Sequence, residues 1–128
     1  MARVLGIGGV FFKSRDPKEL QAWYSRHLGI ESDTDGYVLF KWRDAQDTDK
    51  EHATVWSPFP SDTTYFNPTN APYMINYIVD DLDGMLQQLR DAGAQVDDKI
   101  EEMEYGRFGW AVDPEGVRFE LWGPPAKG

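Results

Sequence analysis

The 128-residue sequence contains no cysteine, so disulfides, thiolate metal sites and thiol catalysis are excluded. Cationic residues are few: 13 lysines and arginines against 22 aspartates and glutamates give a net charge of -9 and a pI near 4.5. This charge repels phosphate and anionic lipid, so we expect no nucleic acid and no membrane partner. No 18-residue apolar run is present, and no charged segment followed by a long apolar run opens the chain. We therefore expect a cytoplasmic protein.

Aromatic residues are abundant, at 14% of a chain whose length suits one domain, and they include five tryptophans. A small core rarely uses so many large rings. Tryptophan joins a large apolar surface to one hydrogen-bond donor, which suits the wall of a ligand site. We expect some of these rings to line a concave surface.

Two segments carry the signals of amphipathic helices. Asp16-Pro17 and Glu19 give the first an N-cap, a proline at the first position and a capping-box glutamate, and Gly29 ends it. The second begins at Asp80 or Asp81 and ends at Gly93. Their apolar stripes are Leu20, Trp23, Tyr24 and Leu28 in the first helix, and Met85, Leu86, Leu89 and Ala92 in the second.

Alternating apolar residues predict the strands. We expect them at residues 4–13, on both sides of a turn at 33–36 within 30–42, at 52–56 after a charged loop, at 73–79, within the acidic segment 94–104, and in a hairpin over 108–122. Residues 57–72 are rich in proline, serine, threonine and asparagine, which is typical of a linker or surface loop.

The predicted hairpin carries the most chemical information. Its turn is Asp113-Pro114-Glu115-Gly116, and in its second strand Phe119 and Leu121 share one face while Glu120 and Trp122 share the other. We expect the apolar face to meet the helices. The face with a carboxylate beside a tryptophan is either wet or lines a pocket.

The chain repeats itself. Asp16 and Asp81 are 65 residues apart, as are Leu20 and Met85, and the segment around Trp56 matches that around Trp122 at a spacing of 66. We therefore predict an α+β fold of two tandem βαβββ modules that form a curved, mostly antiparallel sheet around a central cleft. The boundaries that we expect are 1–57 for the first module, 58–72 for the linker, 73–124 for the second module and 125–128 for the tail.

This layout resembles the vicinal oxygen chelate superfamily, which includes glyoxalase I, bleomycin and fosfomycin resistance proteins, and extradiol dioxygenases. The resemblance covers nearly the whole chain and implies paired modules, a cleft between them and commonly a homodimer. It rests on Asp16-Pro17, Trp23-Tyr24, Leu28-Gly29-Ile30, Val79-Asp80-Asp81-Leu82-Asp83, Asp113-Pro114-Glu115-Gly116 and Glu120-Leu121.

In metal-using members of this superfamily, the ligands are usually His, Gln or Glu at four strand positions that face the cleft. The repeat assigns these positions to Gly9, Thr54, Met74 and Glu120, of which only Glu120 suits a divalent ion. We therefore expect no cofactor. The alternative is a divalent metal held by Glu120 and His52.

The two histidines have simpler interpretations. His52 follows Asp49-Lys50-Glu51, which favours a solvent-facing loop histidine over a metal ligand. His27 lies near the end of the first helix, where an imidazolium complements the helix dipole, so we interpret it as structural.

The candidate ligand contacts surround the predicted cleft. Trp42, Trp56, Trp110 and Trp122 occupy repeat-related positions, and they either form aromatic walls or close the interface between the modules. The other contacts that we expect are Thr54, Met74, Tyr105 and Arg107.

Tyr105 and Arg107 flank Gly106, in a position that resembles a Tyr-Gly-x-Arg element of resistance-type relatives. Arg107 either clamps a carboxylate or phosphate of the ligand or pairs with the nearby glutamates Glu101, Glu102 and Glu104.

Glu120 is the candidate catalytic residue. If it is partly buried against Trp122 and Trp56, desolvation raises its pKa and suits it to proton transfer. Otherwise it is a carboxylate satisfied by Thr54, which the repeat places nearby.

Three functions are compatible with these residues. The first is a small-molecule binding protein of resistance or sequestration type, or a cofactor-free enzyme. The second is a metal-dependent lyase, isomerase or dioxygenase, and the third is a dimeric scaffold without a ligand. The missing metal ligands favour the first.

Overall fold

The computed structural model describes residues 1–33 and 37–125, so part of the turn predicted at 33–36 and most of the tail predicted at 125–128 lie outside the described residues. Two helices and eight strands are found within those ranges. In chain order they are β1 (Val4–Ser14), α1 (Pro17–Leu28), β2 (Val38–Arg43), β3 (Glu51–Pro60), β4 (Tyr73–Val79), α2 (Leu82–Asp91), β5 (Gln95–Val96), β6 (Glu101–Met103), β7 (Gly106–Val112) and β8 (Arg118–Gly123).

The strands form one mixed sheet in the order β2-β3-β1-β4-β8-β7-β5, with β6 paired to β7. The two first strands of the repeated units, β1 and β4, pair antiparallel at the centre. On either side each has a parallel neighbour, β3 beside β1 and β8 beside β4. The remaining pairings are antiparallel, so the predicted α+β fold with a mostly antiparallel sheet is confirmed.

Both helices begin and end where the sequence predicts. The Asp16 carboxylate accepts a 3.1 Å hydrogen bond from the Glu19 backbone N–H, and the Asp81 carboxylate accepts one of 3.0 Å from Gly84. Gly29 and Gly93 follow the helices with positive φ values of 69° and 83°. Neither of these described helices is long and apolar enough to cross a membrane.

The strand prediction is wrong in two places. Residues 30–33 form no strand, because Asp33 and Tyr37 hydrogen-bond to each other instead of joining the sheet. β3 continues beyond Trp56 to Pro60, within the segment predicted as a linker. Prolines are tolerated there because β2 pairs with β3 only as far as Trp56, which leaves β1 as the neighbour of the final residues.

The two sheet faces have separate cores. On one, which we call the helix face, Leu82 and Leu86 of α2 pack against Val79 and Leu121. On the other, the cavity face, a cluster contains Phe11, Phe66, Met74, Phe108 and Trp110. Phe66 is 0% exposed although it belongs to the predicted surface loop, so that loop covers the cavity face. β8 divides as predicted, with Leu121 toward the helix and Glu120 on the other side.

Candidate ligand-binding site

The cavity face contains a cavity of about 480 Å³ between the sheet, the loop at 61–72 and β6. Most of its lining is apolar. Seven aromatic residues contribute, namely Phe11, Tyr37, Phe59, Tyr65, Tyr105, Phe108 and Trp122, together with Leu39, Ala53, Val55 and Met103. Its polar lining includes Asn76 and Glu120, which pair across β4 and β8. The geometry is that of a small-molecule pocket with few polar groups.

Glu120 is 2% exposed and receives three hydrogen bonds. Trp110 Nε1, on the residue paired with it across the hairpin, donates to Oε2 at 2.9 Å. Asn76 Nδ2 donates to Oε1 at 2.5 Å. The Tyr65 hydroxyl donates to Oε2. The carboxyl group is therefore fixed in position by groups from three different elements.

Burial raises the pKa of Glu120, because removing a carboxylate from water disfavours its charged form. The donors Tyr65, Asn76 and Trp110 and the charge of Arg118 oppose this effect without cancelling it. Burial and the neighbouring Glu120 raise the pKa of Tyr65 as well. Tyr65 therefore keeps its proton and acts as a donor.

Arg118 lies two residues before Glu120 on the same face of β8 and holds the covering loop. Its guanidinium donates to the Tyr65 carbonyl and lies 5.1 Å from the centre of the Trp110 ring. It also contacts Asp97 at 3.3 Å. Since the loop carries the Tyr65 hydroxyl, Arg118 helps to position a donor of the site.

Asn76 has an unusual environment. Its Oδ1 atom is buried without a hydrogen-bond partner among the described residues. An ideal Cβ at Gly8 would come 2.3 Å from this oxygen and 2.9 Å from the Trp122 ring. The glycine is required here, because any side chain would displace the groups at the floor of the cavity.

Thr54 does not satisfy Glu120 as the repeat predicts. Its hydroxyl donates to the Ile7 carbonyl and accepts a 2.8 Å hydrogen bond from Trp42 Nε1. Alternation along β3 places Ala53 and Val55 in the cavity lining instead and puts Thr54 on the helix face. The spacing of 66 therefore matches a helix-face residue of β3 to a cavity-face residue of β8, so it misaligns these two strands by an odd number of residues.

The four tryptophans divide between the faces. Trp110 is 2% exposed beside Glu120, and Trp122 lines the cavity, where it stacks on Phe108 at 5.7 Å and donates to the Tyr105 carbonyl at 2.8 Å. Trp42 and Trp56 lie on the helix face and do not line the cavity. The Trp42 indole N–H donates to the Thr54 hydroxyl, and the Trp56 ring packs on the rings of Phe12 and Tyr24.

The remaining contacts that we expected also differ in position. Tyr105 lines the cavity and is 52% exposed. Met74 is fully buried in the core cluster of the cavity face and does not line the cavity. Arg107 makes two 3.0 Å hydrogen bonds to Asp83 of α2 and lies 3.8 Å from Glu102. Its hydrogen bond lowers the pKa of Asp83. This geometry favours the ion-pair interpretation of Arg107, although the main partner lies on α2.

His52 is neither in a loop nor facing solvent. It belongs to β3, its side chain is 9% exposed, and its ring lies 3.4 Å from the Asp44 carboxylate and 4.9 Å from the Trp42 ring. His52 lies two residues before Thr54 on β3, so alternation places both side chains on the helix face, away from Glu120. His27 is exposed and packs beside Trp23 at 4.9 Å.

The residues around Glu120 do not fit a metal. Within residues 1–33 and 37–125, no group of three or more His, Cys, Asp or Glu is placed to hold an ion. The contacts of Glu120 come instead from N–H and O–H groups of Asn76, Trp110 and Tyr65, which already direct hydrogens at its oxygens. Such donors are not ligands for a divalent cation.

Three residues of the site were missed from the sequence: Tyr65, Asn76 and Arg118. Strand alternation signals Arg118, because it shares a face with Glu120. The register of β4 identifies Asn76 only once its pairing with β8 is known. Tyr65 has no local signal, since it reaches the site only through the path of the loop.

Each half of the domain has one helix and one parallel pair of strands, and the first strands of the two halves pair with each other. This arrangement is the architecture of the glyoxalase class. The model of the glyoxalase-like domain family matches residues 9–122, and the chain belongs to this family and to the vicinal oxygen chelate superfamily. No curated protein sequence matches the chain.

Solved structures with this fold include methylmalonyl-CoA epimerases. A variant of the Streptomyces coelicolor enzyme in complex with 2-nitronate-propionyl-CoA is 17% identical, with 97% of this chain and 100% of that chain covered and a TM-score of 0.68. The Mycobacterium tuberculosis epimerase is 19% identical, with 96% and 90% covered and a TM-score of 0.57. At these identities the likeness shows the fold alone.

Proposed function

We propose that this protein binds a small, largely apolar organic molecule in the cavity face, without a metal, and that Glu120 anchors the ligand. The observation that carries this proposal is an apolar cavity of about 480 Å³ with one deeply buried, hydrogen-bonded carboxylate at its floor. Ligand pockets typically measure roughly 300–1,000 Å³ and place a few polar groups among apolar walls.

The size and the walls limit the ligand. Aromatic rings approach the space from β1, β3, the covering loop, β7 and β8, so a flat ring system gains contact on several sides. Glu120 and Asn76 are neighbours on the paired strands β8 and β4, so together they orient the ligand. Sequestration of a molecule of this kind, or proton transfer to it by Glu120, are the activities that this arrangement supports.

Tryptophan fluorescence tests binding directly. A library of small aromatic compounds should contain molecules that change the emission of the protein, because Trp122 lines the cavity. Trp122→Phe should remove most of that change, and Trp56→Phe, on the helix face, should leave it. A library without a hit, or a signal lost equally in both variants, would contradict the proposal.

Metal analysis provides the second test. Protein purified without a chelator should contain no stoichiometric zinc, nickel, manganese or iron, and added chelator should leave ligand affinity unchanged. Stoichiometric metal that is required for binding would support the lyase, isomerase or dioxygenase alternative instead. As the superfamily resemblance implies, we also propose a homodimer, which sedimentation analysis measures.

A further inference from the structure

We propose that the ligand is an organic cation, a protonated amine carried on an aromatic or aliphatic body, and that Glu120 and Asn76 accept its N–H groups. This inference rests on the proposed function, since it names the class of molecule that the cavity takes.

The charge of the lining supports this choice. The described residues around the cavity include two carboxylates, Glu101 and Glu120, and no lysine, arginine or histidine. Lys99 lies 3.4 Å from Glu101 and partly neutralises it, which leaves Glu120 as the deep charge. An anionic ligand would bring a second negative charge beside it without a cation to compensate.

The cation that acts on Glu120 is already committed to other partners. Arg118 donates to the Tyr65 carbonyl and to Asp97, and it lies over the Trp110 ring. It borders a separate, smaller cavity beside Asp97 and Asp98 and not the ligand cavity. It therefore holds the wall in place and offers no binding site for a carboxylate or phosphate inside the cavity.

The hydrogen-bond inventory points the same way. The Tyr65 hydroxyl and the Trp110 indole N–H both donate to Glu120. The Trp122 indole N–H donates to the Tyr105 carbonyl, so none of these three donors is free for a ligand. A carboxylate accepts about four hydrogen bonds, so Glu120 retains capacity after its three. Asn76 Oδ1 has no partner among the described residues. Around Glu120 the floor thus offers acceptors that a donor-rich ammonium group satisfies, while the hydroxyls elsewhere in the lining, those of Ser57, Tyr37 and Tyr105, can donate or accept.

The aromatic walls suit a cation as well. The Phe108 and Trp122 rings stack at 5.7 Å, and Phe11, Phe59 and Tyr65 bring further rings to the cavity. Ring faces carry negative electrostatic potential and attract ammonium groups more strongly when water is excluded. The same rings bind an apolar body, so one surface accommodates both parts of such a molecule.

Calorimetry with three matched probes tests the ligand class: 2-naphthylmethylamine, 2-naphthalenemethanol and 2-naphthoate. We expect the amine to bind about tenfold more tightly than the alcohol, because its hydrogen bonds are charge-assisted, and the naphthoate to bind most weakly. Glu120→Gln should reduce amine affinity about tenfold and change alcohol affinity by less than about threefold. Glu115→Gln, an equal charge change on the exposed hairpin turn, is the matched control and should alter neither.

The outcomes separate this inference from the proposed function. If naphthoate binds as tightly as the amine, or if Glu120→Gln lowers the affinity of all three probes equally, the cavity binds ligands but the cation assignment is overturned. If none of the probes binds and the fluorescence library contains no hit, the proposed function fails and this inference fails with it. A thermal melt of Glu120→Gln shows whether the variant is folded. If it is not, the order of the three probes on the unmodified protein decides.

Discussion

The indole N–H of Trp110 donates a 2.9 Å hydrogen bond to the carboxylate of Glu120, the residue directly opposite it on the next strand. The eleven-residue hairpin segment 110–120 therefore builds half of the polar site by itself. Tyr65 and Asn76, which arrive from the covering loop and from β4, complete it.

Tyr65→Phe removes one of the three donors to Glu120. We expect the unfolding free energy to fall by about 1–3 kcal/mol near neutral pH, because a buried carboxylate then lacks one of its hydrogen bonds. The pKa of Glu120 should rise further, since the lost donor stabilised the ionised form. Urea denaturation measures the first effect and a carboxyl NMR titration the second. Tyr105→Phe, at an exposed ring of the same cavity, should change stability by no more than about 0.5 kcal/mol.

Arg118→Met should release the loop that carries Tyr65. We expect a loss of about 1.5–3 kcal/mol in unfolding free energy, the usual range for a hydrogen bond to a charged group. The matched control is Arg107→Met, which removes an exposed ion pair with Asp83 and should have an effect of about 0–1 kcal/mol. Equal effects of the two substitutions would show that Arg118 does not hold the loop.

The raised pKa of Glu120 predicts a pH dependence of stability. The folded protein keeps this proton to higher pH than the unfolded chain, whose ordinary value is 4.5, so stability from this group is present below that pH. It is lost as pH rises through the folded pKa. Relative to Glu120→Gln, the unmodified protein should therefore become less stable as pH increases above 4.5. A difference that grows in the opposite direction would mean that the carboxylate is the preferred form in the fold.

Phe66→Ala should be strongly destabilising. The ring is 0% exposed in the core of the cavity face, and removing a buried phenylalanine costs about 3–5 kcal/mol. Phe40→Ala, at a ring that is 47% exposed on β2, should change the unfolding free energy by about 0.5 kcal/mol or less. If Phe66→Ala proves as mild as its control, the loop does not cover the sheet in solution.

The features predictable from the sequence are those with local causes. Asp16 and Asp81 cap the helices through their own side chains, and the hairpin around Pro114 and Gly116 is encoded by its turn residues. Glu120 was identifiable as the central carboxylate because strand alternation separates it from Leu121.

The errors come from register and from tertiary contacts. Aligning β3 with β8 at 66 residues matched Thr54, on the helix face, to Glu120, on the cavity face, since an odd error in register moves a side chain to the opposite sheet face. The position of Tyr65 depends on Arg118 and on the path of twelve loop residues at 61–72, which no periodic pattern records.

The two halves of the sheet share a layout but not a chemistry. Among the described residues that line the cavity, the first half contributes no charged side chain, and the second contributes Asn76, Glu101 and Glu120. A bound ligand consequently has one preferred orientation, with its polar head against β4 and β8. Chemical elaboration of its opposite end, toward β3, should be tolerated far better than any added bulk at the head.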